Sequence, residues 1–148
     1  MILWRISNHE NLDGNGGLRA SGRWHTRGRR IVYCAPNPAT ALLEVLVHTE
    51  IDPAEMPVNY RYLEIKVPDT LAIETLDIGR LPQGWRSDPP ASRSAGDEWL
   101  RSGRTSLLRV PSVIVPMTWN VLINPGHPDS RQIRILRAYD HRIDPRLL

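Results

Sequence analysis

The segment that most restricts how this chain can fold is Asn37-Pro38 followed by an apolar run that carries a single acid. An asparagine side chain accepts from the free amides of a helix's first turn, and proline needs no amide partner at the first helical position. The pair predicts a helix from Pro38 to about Thr49, stopped by Asp52-Pro53. Apolar residues stand at 39, 41, 42, 43, 45, 46 and 47, so this helix is expected to be buried on most sides. Glu44 interrupts that run. A carboxylate taken out of water needs cationic or hydrogen-bonding partners close by. Glu44 is therefore either a residue with a functional task or one half of an i, i+4 pair with His48 on a narrow exposed stripe.

Around this helix the chain reads as many short extended pieces. Ile2 to Ile6 predicts a first strand, and Ser7 to Gly17, ending in Gly14-Asn15-Gly16-Gly17, a loop. Arg19 to Trp24 reads as irregular. Arg30 to Cys34 alternates, with Ile31 and Tyr33 on one face and Val32 and Cys34 on the other. Asn59 to Val67 predicts a strand with Leu63, Ile65 and Val67 facing one way, and Thr70 to Thr75 another. Leu81 to Ser94, with Pro82, Gly84, Pro89 and Pro90, reads as a surface loop, and Ser94 to Ser102 as a helix ended by Gly103. Strands are expected within Ser106 to Val115, broken near Pro111, then at Val121 to Ile123 and Gln132 to Arg137. Short strands with two modest helices imply a mixed α+β domain and not a doubly wound parallel sheet.

The chain of 148 residues, 41% hydrophobic and 24% charged, can bury a core and is expected to be one domain, 1–148. Its apolar runs fall far short of the roughly 20 residues that a membrane helix requires, and its start does not resemble a signal peptide. With Cys34 its single cysteine, a cytoplasmic protein that does not contact the membrane is expected. Of the 19 cationic residues all but Lys66 are arginine, a bias suited to phosphate and carboxylate groups, or a mark of genomic base composition. The charge is not spread as on a protein that coats nucleic acid. Residues 1–34 are net +4, residues 35–78 net −6 and residues 79–148 net +5.

A few residues have side chains fit for chemistry. Arg23, in Ser21-Gly22-Arg23-Trp24-His25, is either a donor fork beside a flat indole, with glycine allowing close approach of a ligand, or a solvated arginine next to a core tryptophan. Arg5 faces either water or a cleft, and Tyr33 is either a half-buried core aromatic or a stacking platform. Ser112 has no Gly-x-Ser-x-Gly elbow around it and reads more readily as a turn hydroxyl than as a nucleophile. Histidines at 9, 25, 48, 127 and 141 lack metal-ligand spacing, so no metal is expected. The glycines form neither a Walker loop nor a dinucleotide fingerprint.

The landmarks Leu3-Trp4-Arg5, Ser21-Gly22-Arg23-Trp24-His25, Val32-Tyr33, Ala41 to His48, Gly96 to Leu100, Val110-Pro111-Ser112, Asn120 to Pro128 and Asp144 to Leu147 run nearly end to end. In order and spacing they resemble the RES-domain family, the toxin half of bacterial RES-Xre type II toxin-antitoxin pairs. His25 departs from that pattern, where asparagine is the more usual residue. The resemblance implies an α+β, ADP-ribosyltransferase-like fold, with two small sheets flanking an NAD-binding cleft with short helices. It implies a catalytic set of Glu44, Arg23, Tyr33 and Ser112, and NAD contacts from Arg5, Arg23, Tyr33 and Ser112. NAD+ would be the substrate, with no retained cofactor.

The implied activity is cleavage of NAD+ at the nicotinamide-ribose bond, with depletion of cellular NAD+ and growth arrest. Water, phosphate or a protein side chain would accept the ADP-ribose, the last giving a mono-ADP-ribosyltransferase. An Xre-family antitoxin is the implied partner, and the toxin alone need not bind nucleic acid. In this view Glu44 holds a ribose hydroxyl, Arg23 and Arg5 fix the pyrophosphate, and Tyr33 stacks on nicotinamide. Ser112 either binds the nicotinamide amide or orients Glu44. A reading from another class, a ribonuclease or nucleic-acid-binding toxin, rests on the arginines and on Trp24, Trp85 and Trp99.

Overall fold

The computed structural model describes residues 1–48, without the side chain at 48, and residues 60–147. Its regular elements are β1 (Ile2–Ser7), α1 (Gly16–Arg19), β2 (Val32–Cys34), α2 (Pro38–His48), β3 (Arg61–Lys66), β4 (Ile73–Thr75), α3 (Pro89–Ser102), β5 (Leu107–Pro111), β6 (Trp119–Ile123) and β7 (Arg134–Asp140). The strands form two small sheets, ordered β1-β3-β7 and β2-β6-β5-β4. All neighbours are antiparallel except β4 and β5, which run parallel across the α3 connection.

Strand alternation decides where the core lies. Leu3, Leu63, Ile65 and Val67 of the first sheet meet Val32, Cys34, Leu107, Val121 and Ile123 of the second. The intervening positions of the second sheet, Ile31, Leu108, Val110 and Leu122, point the other way, into a second core with Trp24, Trp85 and Trp99. The second sheet is thus buried on both faces, as the alternation of Ile31 and Tyr33 against Val32 and Cys34 implies. A smaller cluster of Ile6, Ala35 and Ala41 seats α2 against β1. An isolated bridge, in which Trp4 and Ala35 exchange both backbone hydrogen bonds at 2.8 Å, ties β1 to the end of β2.

The start of α2 is as the sequence dictates, with Asn37 Oδ1 accepting from the Thr40 amide at 2.8 Å. Its burial is not. Leu43 and Val47 are 41% and 57% exposed, so α2 is not buried on most sides and packs through its Ala41 flank. The expected helix end at Thr49, its stop at Asp52-Pro53 and the strand start at Asn59 lie outside the described residues.

The expectation of a surface loop from Leu81 to Ser94 is overturned. Pro89 and Pro90 occupy the first turn of α3, where missing amides cost nothing, so the helix begins five residues before Ser94. Within the same stretch Trp85 is 5% exposed and its ring lies 5.5 Å from that of Trp24. At the far end Gly103, at φ 60°, closes α3 in the left-handed conformation. β7 begins at Arg134, after a 3-10 turn through Gln132, and runs three residues beyond Arg137 to Asp140.

Candidate active site

One cleft, about 460 Å³ in volume, brings Arg5 of β1, Arg23 of the loop after α1, Tyr33 of β2, Glu44 of α2 and Asn120 of β6 to a common wall. Residues 76 positions apart in the chain meet there, since Asn120 Nδ2 donates to Glu44 Oε1 at 2.8 Å. Glu44 is half-buried, at the point where the α2 surface turns from its seat on β1 toward the cleft.

Ser112 stands behind Glu44. Its Oγ donates to Glu44 Oε1 at 3.3 Å and accepts from the amides of Ile114 and Val115 at 3.2 and 3.1 Å. It is 3% exposed and does not line the cleft. With its one hydrogen and two lone pairs engaged, the hydroxyl has no capacity left for a ligand. Ser112 is thus not brought to the cleft wall with the other expected site residues; of its two possible tasks, the geometry fits the orienting of Glu44.

Helix α3 fixes the Arg23 loop. Ser92 Oγ donates to the Arg23 carbonyl at 2.6 Å, and Arg93 Nε donates to the Gly22 carbonyl at 2.8 Å. Asp97 accepts from the Thr26 amide and hydroxyl at 2.9 and 2.6 Å and pairs with Arg29 at 3.2 Å. Gly96 lies so close under the Trp24 carbonyl that any Cβ there would overlap it. The side chain of Arg23 donates through Nη2 to the carbonyls of Trp85, at 3.2 Å, and Arg86. Burial, with Arg93 and Arg86 nearby, pushes its pKa down from the ordinary arginine value.

Trp24 is 3% exposed, so it is core and not the flat face for a ligand that the sequence allows. Gly22 serves the fold, because a Cβ there would run into the Tyr33 hydroxyl. That hydroxyl is turned inward. Its oxygen accepts from the Trp24 amide at 3.0 Å and lies 2.7 Å from His25 Nδ1, and burial drives the phenol pKa upward. Cys34 lies at the same wall, but burial pushes its thiol up to about 12, which leaves it protonated and unreactive.

Local composition assigns no role to Asn120 or to the buried His25; the sequence marks the first only as the start of a landmark and the second only as a departure from the family pattern. Two polar atoms at the cleft, Arg23 Nε and Asn120 Oδ1, are buried with no hydrogen-bond partner among the described residues. Among the described residues no group of three or more His, Cys, Asp or Glu side chains is arranged to hold a metal ion. No described helix is long and apolar enough to cross a membrane.

The sequence profile of the RES domain matches residues 2–144. This chain belongs to the RES-domain family. It is 46% identical to the protein named Toxin Res of Pseudomonas putida over 147 residues, 99% of each chain. It is 40% identical over 156 residues to the Prs ADP-ribosylating toxin of a Sphingobium species, covering 99% of this chain and 96% of the relative. In three dimensions it is similar to a chain in the crystal structure of the M. tuberculosis MbcT-MbcA toxin-antitoxin complex. The TM-score is 0.71 over 95% of this chain and 83% of that one; at 18% identity the likeness is one of fold. The α+β class with two small sheets is thus the observed fold, and the chain is the RES-domain toxin that its landmarks imply.

Proposed function

We propose that this RES domain is a cytoplasmic toxin enzyme that takes NAD+ into the cleft as substrate and breaks its nicotinamide-ribose bond. Loss of cellular NAD+ then arrests growth, and an Xre-family antitoxin restrains the enzyme. The observation that carries this reading is the convergence of Glu44, Arg5, Arg23 and Tyr33 on one cleft, with the carboxylate held by Asn120.

The chemistry asks for what such a cleft offers. The bond from the anomeric carbon to the nicotinamide nitrogen breaks, and its electron pair enters the pyridinium ring, which leaves neutral. No proton need be delivered to the leaving group. The ribose acquires oxocarbenium character, which a fixed carboxylate stabilises while accepting a hydrogen bond from a ribose hydroxyl; water, with loss of a proton to solvent, or phosphate then forms the new bond to the anomeric carbon. That is the task of Glu44. Arg5 and Arg23 hold the pyrophosphate by charge-assisted hydrogen bonds, and Tyr33 presents its ring to nicotinamide. Ser112 and Asn120 set the carboxylate in place.

Purified protein incubated with NAD+ should release nicotinamide, measured by chromatography. Glu44→Ala and Arg23→Ala should abolish release with an unchanged circular dichroism spectrum. Full turnover in both variants overturns the assignment. A second reading, transfer of ADP-ribose to a protein, is favoured by the name of the relative at 40% identity. It predicts a labelled protein band from labelled NAD+ in a cell extract and only slow nicotinamide release without that extract. The nucleic-acid reading loses the tryptophan half of its motive and keeps only the arginines, because Trp24, Trp85 and Trp99 are 3%, 5% and 1% exposed and offer no stacking face.

A further inference from the structure

His25 is 2% exposed, and its surroundings dictate which nitrogen carries the hydrogen. Nε2 lies 3.0 Å from the Ala20 carbonyl and 3.3 Å from the Gly17 carbonyl, and both of these oxygens only accept. Nε2 is therefore the donor. In the neutral ring Nδ1 is then an acceptor. It takes the Gly22 amide at 3.2 Å and faces the Tyr33 hydroxyl at 2.7 Å. The Tyr33 oxygen accepts from the Trp24 amide at 3.0 Å, so its own hydrogen goes to Nδ1. One imidazole thus closes the loop that carries Arg23 onto the strand that carries Tyr33.

We propose that neutral His25, with its hydrogen on Nε2, is a positioning residue that holds Tyr33 and the Arg23 loop in register. Uptake of a second proton at Nδ1 sets donor against donor at the Gly22 amide, reverses the hydrogen bond to Tyr33 and so weakens substrate binding in acid. The kinetic part of this inference rests on the reading of the cleft as an NAD+ site.

The proton balance is simple. A hydrogen on Nδ1 faces the Gly22 amide, donor against donor, which leaves that amide only the His25 carbonyl at 3.1 Å; toward Tyr33 the bond reverses, Nδ1 donating to the phenol oxygen while the tyrosine hydrogen turns away from the ring. From α1 and the loop after it come backbone carbonyls; from β2 comes Tyr33; from α3 come Asp97 and Arg93. Asp97 favours the cation but is already held by Thr26 and Arg29, whereas Arg93 opposes it. Burial outweighs the favourable contacts, and the His25 pKa falls below the ordinary histidine value.

Two arms test the proposal. Protein carrying 15N-histidine is titrated by NMR, which needs no activity. The Nε2–H tautomer at high pH, with a step below about 6.5 that also moves the Tyr33 ring signals, is expected. An Nδ1–H tautomer, or a step to which Tyr33 is blind, overturns the inference. In the kinetic arm, the KM for NAD+ should climb as pH falls through that step while kcat changes less. In His25→Asn, Oδ1 takes the place of Nδ1, which should keep KM within about threefold of the parent at pH 8 and remove the acid rise. His25→Gln reaches the Ala20 carbonyl but loses Tyr33, which should raise KM about tenfold at pH 8. Equal KM values for parent, Asn and Gln variants at every pH would make His25 a stability residue alone and refute the proposal. If no preparation releases nicotinamide, it is the functional reading that fails, and the NMR arm still decides the role of His25.

Discussion

Replacing Asn120 by alanine isolates the orientation of the Glu44 carboxylate. Asn120 Nδ2 approaches Glu44 Oε1 at 2.8 Å, against 3.3 Å for Ser112 Oγ, so the amide is the stronger of these two donors. A hydrogen bond to a charged group contributes about 1.5–3 kcal/mol. If Glu44 must be held in one place while positive charge grows on the ribose, that energy enters the barrier, and at about 1.4 kcal/mol per tenfold the rate falls about 10- to 150-fold. Folding stability should hardly change, because the substitution also removes Asn120 Oδ1, a buried acceptor with no partner among the described residues. The assay is the initial rate of nicotinamide release beside a thermal melt. Asn120→Asp should be slower still at neutral pH, since it sets one carboxylate against another. A kcat/KM for Asn120→Ala within twofold of the parent, or a fully active Asn120→Asp, refutes the reasoning.

Ser112→Ala should show the opposite balance. Losing the acceptor for two loop amides costs about 1–3 kcal/mol, or about 2–12 °C in Tm, while turnover falls less than in Asn120→Ala. Asp97→Ala strands the Thr26 amide and hydroxyl and the Arg29 guanidinium; a loss of about 2–3 kcal/mol by denaturant titration is expected, with a raised KM from the slackened Arg23 loop. Stability should also follow pH through His25. Its folded pKa lies below the unfolded value of about 6.5, so between the two the unfolded chain binds more protons and stability rises with pH. The contribution is complete above about pH 6.5, falls as pH drops toward the folded value and then levels off. Melts of parent and His25→Asn across this range should converge in acid; parallel curves would refute the linkage.

What the sequence made legible, and what it did not, follows the range of the forces involved. The α2 start is local: Asn37 caps Thr40 whatever else the chain does. The facing of Leu63, Ile65 and Val67 is set by strand period, and they enter one core as that period requires. The prolines at 89 and 90 misled because the same missing amide ends a helix from within and suits its first turn. Trp85 was unreadable because its burial depends on Trp24, 61 positions earlier in the chain. In the site, Glu44 stood out as a charge in an apolar run. Asn120 did not, because an amide on a strand next to a core position has no local signature until the partner across the cleft is known. The wrong picture of α2, buried on most sides, came from counting apolar residues without knowing that its packing against β1 takes only one flank.

The manner in which the cleft holds its charges matters as much as their presence. Asn120 and Ser112 are neutral donors, so they fix Glu44 without cancelling its negative charge. A guanidinium in place of Asn120 would grip the carboxylate as firmly and blunt its attraction for a developing cation. Arg23, for its part, spends Nη2 on the carbonyls of Trp85 and Arg86. Backbone acceptors orient the fork and carry no formal charge, so the whole positive charge of the guanidinium stays available to a phosphate. Asn120 and Ser112 at Glu44, and the Trp85 and Arg86 carbonyls at Arg23, are thus uncharged groups that fix charged ones. The carboxylate and the guanidinium stay put because α2, β6 and α3 cannot shift without opening the core. Fixed charges of this kind need no reorganisation as the bond breaks, and that preorganisation is what distinguishes a catalytic cleft from a merely polar one.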